Sequence, residues 1–300
     1  MRAWALVVLA ALGACDCAVI FPGRGAVVGS PDDRAPTAPR DSIADWSRHF
    51  AAEGAVGAFV LYDAAARVTT RHDPHRAAER FPPASTSKVY NGLVFLDQGV
   101  VADVDSLHAW DGVERFAPSW NRDHSLRTAT EASALWVFRR LAREVGRDGY
   151  AEAFAREPWG NRTLSDSLEW SWLDGTWRVS ADEQVVFLDG LRRGALAFDA
   201  EHQRLAREML PTLATADLRF AEAGGARLRG KTGWALATAR DLEIGWLVGW
   251  VERPGGDAVF AMNAHAAPGA RFDVRGGRLR IVRAVLADAG VFPGEGGVRP

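Results

Sequence analysis

The chain has 300 residues, 48% of them hydrophobic, enough to bury one large core or two smaller ones. Its formal net charge of −2 removes any electrostatic reason to expect nucleic acid or another polyanion as a partner. Of the 36 basic residues only Lys88 and Lys231 are lysines. Either cation serves on a solvated surface, but burial strips the proton from an ammonium and not from a guanidinium. Two retained lysines therefore direct attention to chemistry.

At the N-terminus, Arg2 is followed by an apolar stretch, residues 3–12, too short to span a bilayer and suited to a secretion signal. Leu12-Gly13-Ala14-Cys15 resembles the lipobox of bacterial lipoproteins, which implies a signal peptide over 1–14 and lipidation of Cys15. Ordinary signal cleavage nearby, leaving Cys15 and Cys17 as incidental thiols, is the alternative. Either way the expected destination is the periplasm, reached across the inner membrane, with membrane association through a lipid anchor on the first reading. Both cysteines of the sequence lie here, so the remainder must be held by its core and not by disulfides. Residues 15–40, rich in Pro, Gly, Asp and Arg, have the composition of a flexible tether ahead of a catalytic domain over 41–295.

Asp41 or Ser42 is placed to cap a short helix carrying Ile43, Trp46 and Phe50. Residues 58–70 read as a strand pair turning at Asp63-Ala64-Ala65-Ala66. Helical periodicity follows over 88–98, 133–145, 184–196 and 201–210, then strand texture over 226–230, 245–252 and 258–263, and a last helix over 279–289. Strands, then helices, then strands and a helix predict an α/β fold of the α+β type. Its helical subdomain, roughly residues 93–184, is inserted into the α/β part.

Two motifs carry chemistry. In Pro83-Ala84-Ser85-Thr86-Ser87-Lys88, Ser-x-x-Lys at a helix start puts a hydroxyl and an amine one turn apart on one face, with the helix N–H groups aimed at the serine. A serine needs an adjacent base to attack, and a neutral lysine or a derivative of it supplies one. Lys231-Thr232-Gly233 on a strand edge groups an ammonium, a hydroxyl and a backbone N–H, with no Cβ at the glycine to keep a substrate away. Each alone has an ordinary account, a capping serine or a strand end. Together they contain both lysines, in the order found in penicillin-recognising enzymes.

The ordered set extends further. It includes Phe59-Val60-Leu61-Tyr62-Asp63, Asp73-Pro74, Arg80-Phe81, Ser133-Ala134-Leu135, Trp159-Gly160-Asn161, Trp172-Leu173-Asp174-Gly175, Lys231-Thr232-Gly233-Trp234 and residues 245–252. Over residues 55–290 this resembles a class D (oxacillinase-type) serine β-lactamase. The resemblance implies a β-lactamase/transpeptidase-like fold, an antiparallel sheet flanked by terminal helices with the inserted helical domain. It implies a β-lactam substrate, resistance to such antibiotics, and no cofactor beyond CO2 held as a covalent lysine carbamate. By the same resemblance Ser85 is the nucleophile, Lys88 the N-carboxylated general base, Ser133 the proton relay and Trp172 the carbamate's hydrogen-bond donor. Ser85 and Trp234 supply the oxyanion-hole N–H groups. Leu135 lies over the carbamate, Gly233 completes the substrate-binding strand, and Lys231, Thr232 and Arg278 hold the substrate carboxylate, with Arg275 as the alternative arginine. Nothing in the sequence specifies an oligomer.

Three positions depart from the family pattern. Ser87 stands for Phe and is expected to remove apolar cover, Leu135 for Val and is expected to crowd the hydrolytic water, and Trp159 for Tyr. Class A enzymes are a rival through Glu157-Pro158-Trp159-Gly160-Asn161, with Glu157 as base, but the second motif is Ser-Ala-Leu and not Ser-Asp-Asn. A non-hydrolysing penicillin sensor and a cell-wall peptidase are two further rivals. Metal-dependent hydrolysis is not expected, because His72 and His75 flank Pro74 with no further ligand cluster.

Overall fold

The apolar runs of the sequence become strands covered on both faces. In a computed structural model the described residues are 40–213, 226–237 and 242–291. The expected signal peptide, Cys15 and nearly all of the expected tether lie outside them.

Six strands form one sheet among the described residues: β1 (Arg40–Ile43), β2 (Ala55–Asp63), β3 (Val68–His72), β4 (Arg227–Ala237), β5 (Leu242–Glu252) and β6 (Ala258–Ala266). Their spatial order is β1-β3-β2-β6-β5-β4. All neighbours run antiparallel except β1, which pairs parallel to β3. The expected helix cap at Asp41 or Ser42 is thus a strand, and α1 begins later, at Ser47–Ala51. Ile43 is 77% exposed on this edge and does not join Trp46 and Phe50 in the core. Its apolar side chain fitted a helical period, but pairing with β3 satisfies its backbone instead.

Strand alternation assigns successive side chains to two cores. Ala58 and Val60 of β2, Ile244, Trp246, Val248 and Trp250 of β5, and Val259 and Ala261 of β6 enter the larger one. Phe59 and Leu61, Leu247 and Val251, and Phe260, Met262 and Ala264 enter the second, with Trp46, Phe50 and the apolar face of α8 (Gly277–Asp288). The predicted turn forms after Asp63, whose carboxylate accepts the Ala66 N–H at 2.8 Å.

The larger core is completed by helices that lie in the chain between β3 and β4. These are α2 (Pro74–Ala78), α3 (Lys88–Asp97), α4 (Leu126–Glu131), α5 (Leu135–Arg156), α6 (Ala181–Arg193) and α7 (Ala200–Met209). Gly146, at φ 70° and ψ 176°, interrupts α5, a conformation that a Cβ would oppose. Ser180 starts α6 with a reciprocal cap: its hydroxyl accepts the Glu183 N–H at 3.1 Å and the Glu183 carboxylate accepts the Ser180 N–H at 2.9 Å. Just before this cap, Val179 bridges to Phe81, so the start of α6 is fastened to the Ser-x-x-Lys segment.

Candidate active site

The chain enters the serine motif through a backbone that most residues avoid. Ala84 has φ +50°, and its N–H donates to the Trp172 carbonyl at 2.9 Å. Residues Ala84–Ser87 then form one turn of 3-10 helix that runs directly into α3 at Lys88. The turn is fastened from several sides. Thr86 Oγ1 donates to Pro83 O at 2.6 Å and accepts from Gln184 Nε2 at 2.8 Å, while Trp246 Nε1 donates to Pro82 O at 2.9 Å. Three residues along the chain from Ser85, the Lys88 Nζ lies 3.0 Å from Ser85 Oγ.

Lys88 has no exposure to solvent, and burial pulls its ammonium down to about 7. The Phe138 ring lies 4.9 Å from Nζ; its face favours the charged form, and the loss of water outweighs it. Trp172 is also fully buried, and its Nε1–H has no hydrogen-bond partner among the described residues. A buried donor of that kind costs about 1–3 kcal/mol unless an acceptor arrives.

The second serine sits at another strained position. Ser133 has φ +54° and lies between α4 and α5, so the predicted helix begins two residues later, at Leu135. Ser133 Oγ lies 2.5 Å from Lys231 Nζ, and Lys231 also donates to Thr232 O at 3.1 Å. Burial first, and then the neighbouring Lys88 and Arg278 cations, hold the Lys231 ammonium well below the ordinary lysine range. Lys231, Thr232, Gly233 and Trp234 all lie inside β4, a longer strand than the sequence pattern predicted. Because β4 is the last strand of the sheet, one row of its backbone groups faces away from β5. Leu228 O accepts from Leu213 and Gly230 N–H donates to Pro211, which identifies even-numbered residues as that row. The regular register carries the alternation on to Thr232 and Trp234. Trp234 is 47% exposed.

Arg278, in the first turn of α8, donates from Nη1 to Gly233 O at 2.8 Å, while its Nε is buried without a partner among the described residues. Burial brings its guanidinium down to about 10. The alternative, Arg275, instead stands over the Trp234 ring at 5.6 Å. Leu135 is half-buried against the larger core. Glu157 is remote in its bonding: its carboxylate accepts the Ala197 N–H at 2.9 Å. Among the described residues no cluster of three or more His, Cys, Asp or Glu side chains is arranged to hold a metal.

Residues 57–286 match the family of the penicillin-binding-protein transpeptidase domain. The chain is similar to beta-lactamase OXA-2 of Salmonella typhimurium, 37% identical over 83% of this chain and 86% of that protein. It is also similar to beta-lactamase OXA-48 of Klebsiella pneumoniae, 34% identical over 83% of this chain and 89% of that protein. Among solved structures, the class D β-lactamase FUS-1 of Fusobacterium nucleatum subsp. polymorphum superposes with a TM-score of 0.73 at 32% identity. That match covers 82% of this chain and 97% of that one. The chain belongs to the class D serine β-lactamases. The C-terminal domain of the Bacillus licheniformis BlaR penicillin-receptor shares the fold, with TM-score 0.76 and 27% identity over 86% of this chain and all of that domain.

In this class D β-lactamase, sequence reasoning named Ser85, Lys88, Ser133, Trp172, Lys231, Thr232, Gly233, Trp234, Arg278 and Leu135. The contacts above pair Ser85 with Lys88, Ser133 with Lys231 and Arg278 with Gly233, while Trp234 meets Arg275 and Leu135 packs against the larger core. Sequence reasoning missed Phe138 as the ring over Lys88, although Phe138 follows Leu135 by one helical turn and shares its side of α5. It also missed Gln184 and Trp246, whose bonds to Thr86 and Pro82 join positions 98 and 164 residues apart. Ser87, expected to remove apolar cover, is fully buried, and its hydroxyl donates to Ala84 O at 2.7 Å. Trp159 in place of Tyr stacks on Tyr90 at 5.1 Å within the larger core.

Proposed function

We propose that this β-lactamase hydrolyses penicillin-type β-lactams through an acyl-Ser85 ester, giving resistance to them. Ser85 Oγ attacks the lactam carbonyl carbon as its proton passes to the Lys88 side chain. The oxyanion is held by the N–H groups of Ser85 and Trp234. The C–N bond then breaks and the departing nitrogen takes a proton through Ser133, which Lys231 holds at hydrogen-bond distance. Water, losing a proton at the Lys88 side chain, cleaves the ester and restores the Ser85 hydroxyl. Lys231, Thr232 and Arg278 receive the substrate carboxylate, which supplies the anion that the adjacent cations lack. Gly233 lets the substrate lie along β4.

CO2, bound as a carbamate on Lys88, supplies an anionic general base. Two features support it: a buried amine at about 7 is readily neutral, and Trp172, the donor that the class D resemblance assigns to the carbamate, has its Nε1–H buried and unpartnered among the described residues. The observation that carries the whole reading is the 3.0 Å contact between the Ser85 hydroxyl and this buried lysine.

The test is hydrolysis of a chromogenic cephalosporin by the purified protein, beside covalent labelling by a fluorescent penicillin. The wild type should turn over, and Ser85→Ala should neither turn over nor label. Normal labelling of the alanine variant would remove Ser85 as nucleophile. An acyl group that persists for hours in the wild type, followed by mass spectrometry, would make the protein a sensor and not an enzyme.

We also propose the topology of the whole chain: a signal peptide over 1–14, lipidated Cys15, a tether over 15–40 and a periplasmic catalytic domain over 41–295. Its support is the apolar leader and the Leu-Gly-Ala-Cys run.

A further inference from the structure

We infer that Ser87 is a positioning residue of the oxyanion hole, holding the Ala84 carbonyl so that the peptide plane it shares with the Ser85 N–H keeps its direction. The inference rests on the acyl-Ser85 reading above, which uses that N–H as a donor.

A peptide unit is planar, so the Ala84 C=O and the Ser85 N–H turn together as one rigid body. Its direction is set at Ala84, whose φ of +50° is a conformation that L-residues avoid. Beyond the backbone bonding of the 3-10 turn, which itself engages the Ala84 carbonyl, one further hydrogen bond holds each flanking peptide plane. The Ala84 N–H donates to Trp172 O at 2.9 Å on one side, and Ser87 Oγ donates to Ala84 O at 2.7 Å on the other. Ala84 and Ser87 are both fully buried, so water does not replace either clamp.

The Ser87 proton is directed by what lies behind it. Asn91 Nδ2 approaches Ser87 Oγ at 3.5 Å, a long contact, and Asn91 Oδ1 accepts the Tyr150 hydroxyl at 3.0 Å. Asn91 is fully buried, and so is Tyr150, on the second half of α5. With the amide N–H on its oxygen, the Ser87 hydroxyl has its own hydrogen left for Ala84 O. The class D pattern described above has Phe at this position, and Phe donates nothing. The clamp therefore belongs to this chain and is not inherited from the resemblance. A serine bonding back to the carbonyl three residues earlier is common at helix starts and usually local in effect. Here the carbonyl it bonds is the other end of the catalytic peptide plane.

The experiment compares wild type with Ser87→Ala, Ser87→Cys and Ser87→Thr, each checked for folding by thermal melting. The acyl-enzyme formed from a penicillin carrying carbon-13 at the lactam carbonyl is observed by rapid-mixing infrared difference spectroscopy. Donors at the carbonyl oxygen lower its stretching frequency. The wild-type band should lie below that of the denatured acyl-enzyme, Ser87→Ala should move it back upward, and Ser87→Thr, which keeps the hydroxyl, should restore it. The acylation rate constant should fall about tenfold in Ser87→Ala with substrate affinity unchanged, a part of the loss seen when an oxyanion donor is removed outright. Ser87→Cys, a weak donor of similar size, serves as the second variant if alanine does not fold. A folded Ser87→Ala or Ser87→Cys enzyme whose band stays at the wild-type frequency would overturn the positioning role while leaving the oxyanion hole in place. A wild-type band at the denatured frequency would remove the oxyanion hole itself, and this inference with it.

Discussion

The Lys88 ammonium gives up its proton readily because of where it lies, not because of its ordinary chemistry. A lysine at its reference pKa, roughly 10.4, is neutral less than about once in a thousand at pH 7, whereas burial brings this one to about 7. The sign follows directly. Above about pH 7 the folded protein holds a neutral amine able to take up CO2, and below it the amine binds a proton and releases CO2. Activity of enzyme equilibrated with CO2 should therefore fall as pH drops through 7. Degassed enzyme, low in activity, should regain it when bicarbonate is added at pH 7.5, with a lysine-carbamate signal in carbon-13 NMR rising in parallel. Full activity without CO2, together with no such signal, would rule the carbamate out. Lys88→Arg should be inactive at every bicarbonate concentration, because a guanidinium does not supply the neutral nucleophile. A second residue-scale effect concerns Leu135, half-buried at the start of α5 where the family has Val. Removing one methylene by Leu135→Val should speed deacylation by an amount on the order of 1 kcal/mol in barrier, through relief of crowding. Single-turnover kinetics that show an unchanged or slower deacylation would reject the crowding.

Strand β4 and the 3-10 turn before α3 work as a pair, and Gly233 sets how closely they approach. A Cβ there would stand 3.0 Å from Pro83 O, 3.1 Å from Thr86 Cγ2 and 3.1 Å from Trp246 Cβ, a tight fit on every side. Gly233→Ala should push β4 off the turn that carries Ser85, costing about 1–3 kcal/mol of stability by overpacking. Because Lys231, Thr232 and Trp234 move with the strand, kcat/KM should fall at least about tenfold, consistent with the sensitivity of catalysis to small misplacements. Thermal melting and steady-state kinetics on the same preparation check both parts. A variant with wild-type kcat/KM would show that the spacing of β4 from the turn is not critical. The helix α6 contributes in a similar way from the other side, through Gln184 to Thr86 and through the Val179–Phe81 bridge just before its cap. Its Ser180–Glu183 cap is a local pattern that the sequence reading, which began the helix at 184, passed over, whereas its contact with the turn that carries Ser85 has no local signal.

At the scale of the whole molecule, the two cysteines of the sequence are confined to positions 15 and 17, so the catalytic part is held by its two cores without disulfides. Cys15→Ser should release the protein from membranes into the periplasmic fraction if Cys15 carries a lipid. A wild-type protein that already fractionates as soluble, with an N-terminus beyond Cys17, would reject the lipid anchor. No helix among the described residues is long and apolar enough to cross a membrane. The sequence by itself determined the longer strands and helices, though not β1, α2 or α4, together with the Ser-x-x-Lys and Lys-Thr-Gly motifs and the family, because these depend on local periodicity and on residue types that chemistry constrains at fixed spacing. It misjudged β1, because a lone exposed strand owes its form to a partner, β3, that begins 25 residues beyond its last residue in the chain. Tertiary structure alone decided that Arg278 bonds the β4 backbone while Arg275 stands over the Trp234 ring, that Ser133 precedes α5 in a left-handed conformation, and that Ser87 is buried and bonded to Ala84 O. Each of these rests on desolvation or on a hydrogen bond whose direction is set by how elements pack. No pattern of neighbouring residue types encodes how much water a side chain loses when distant segments close over it.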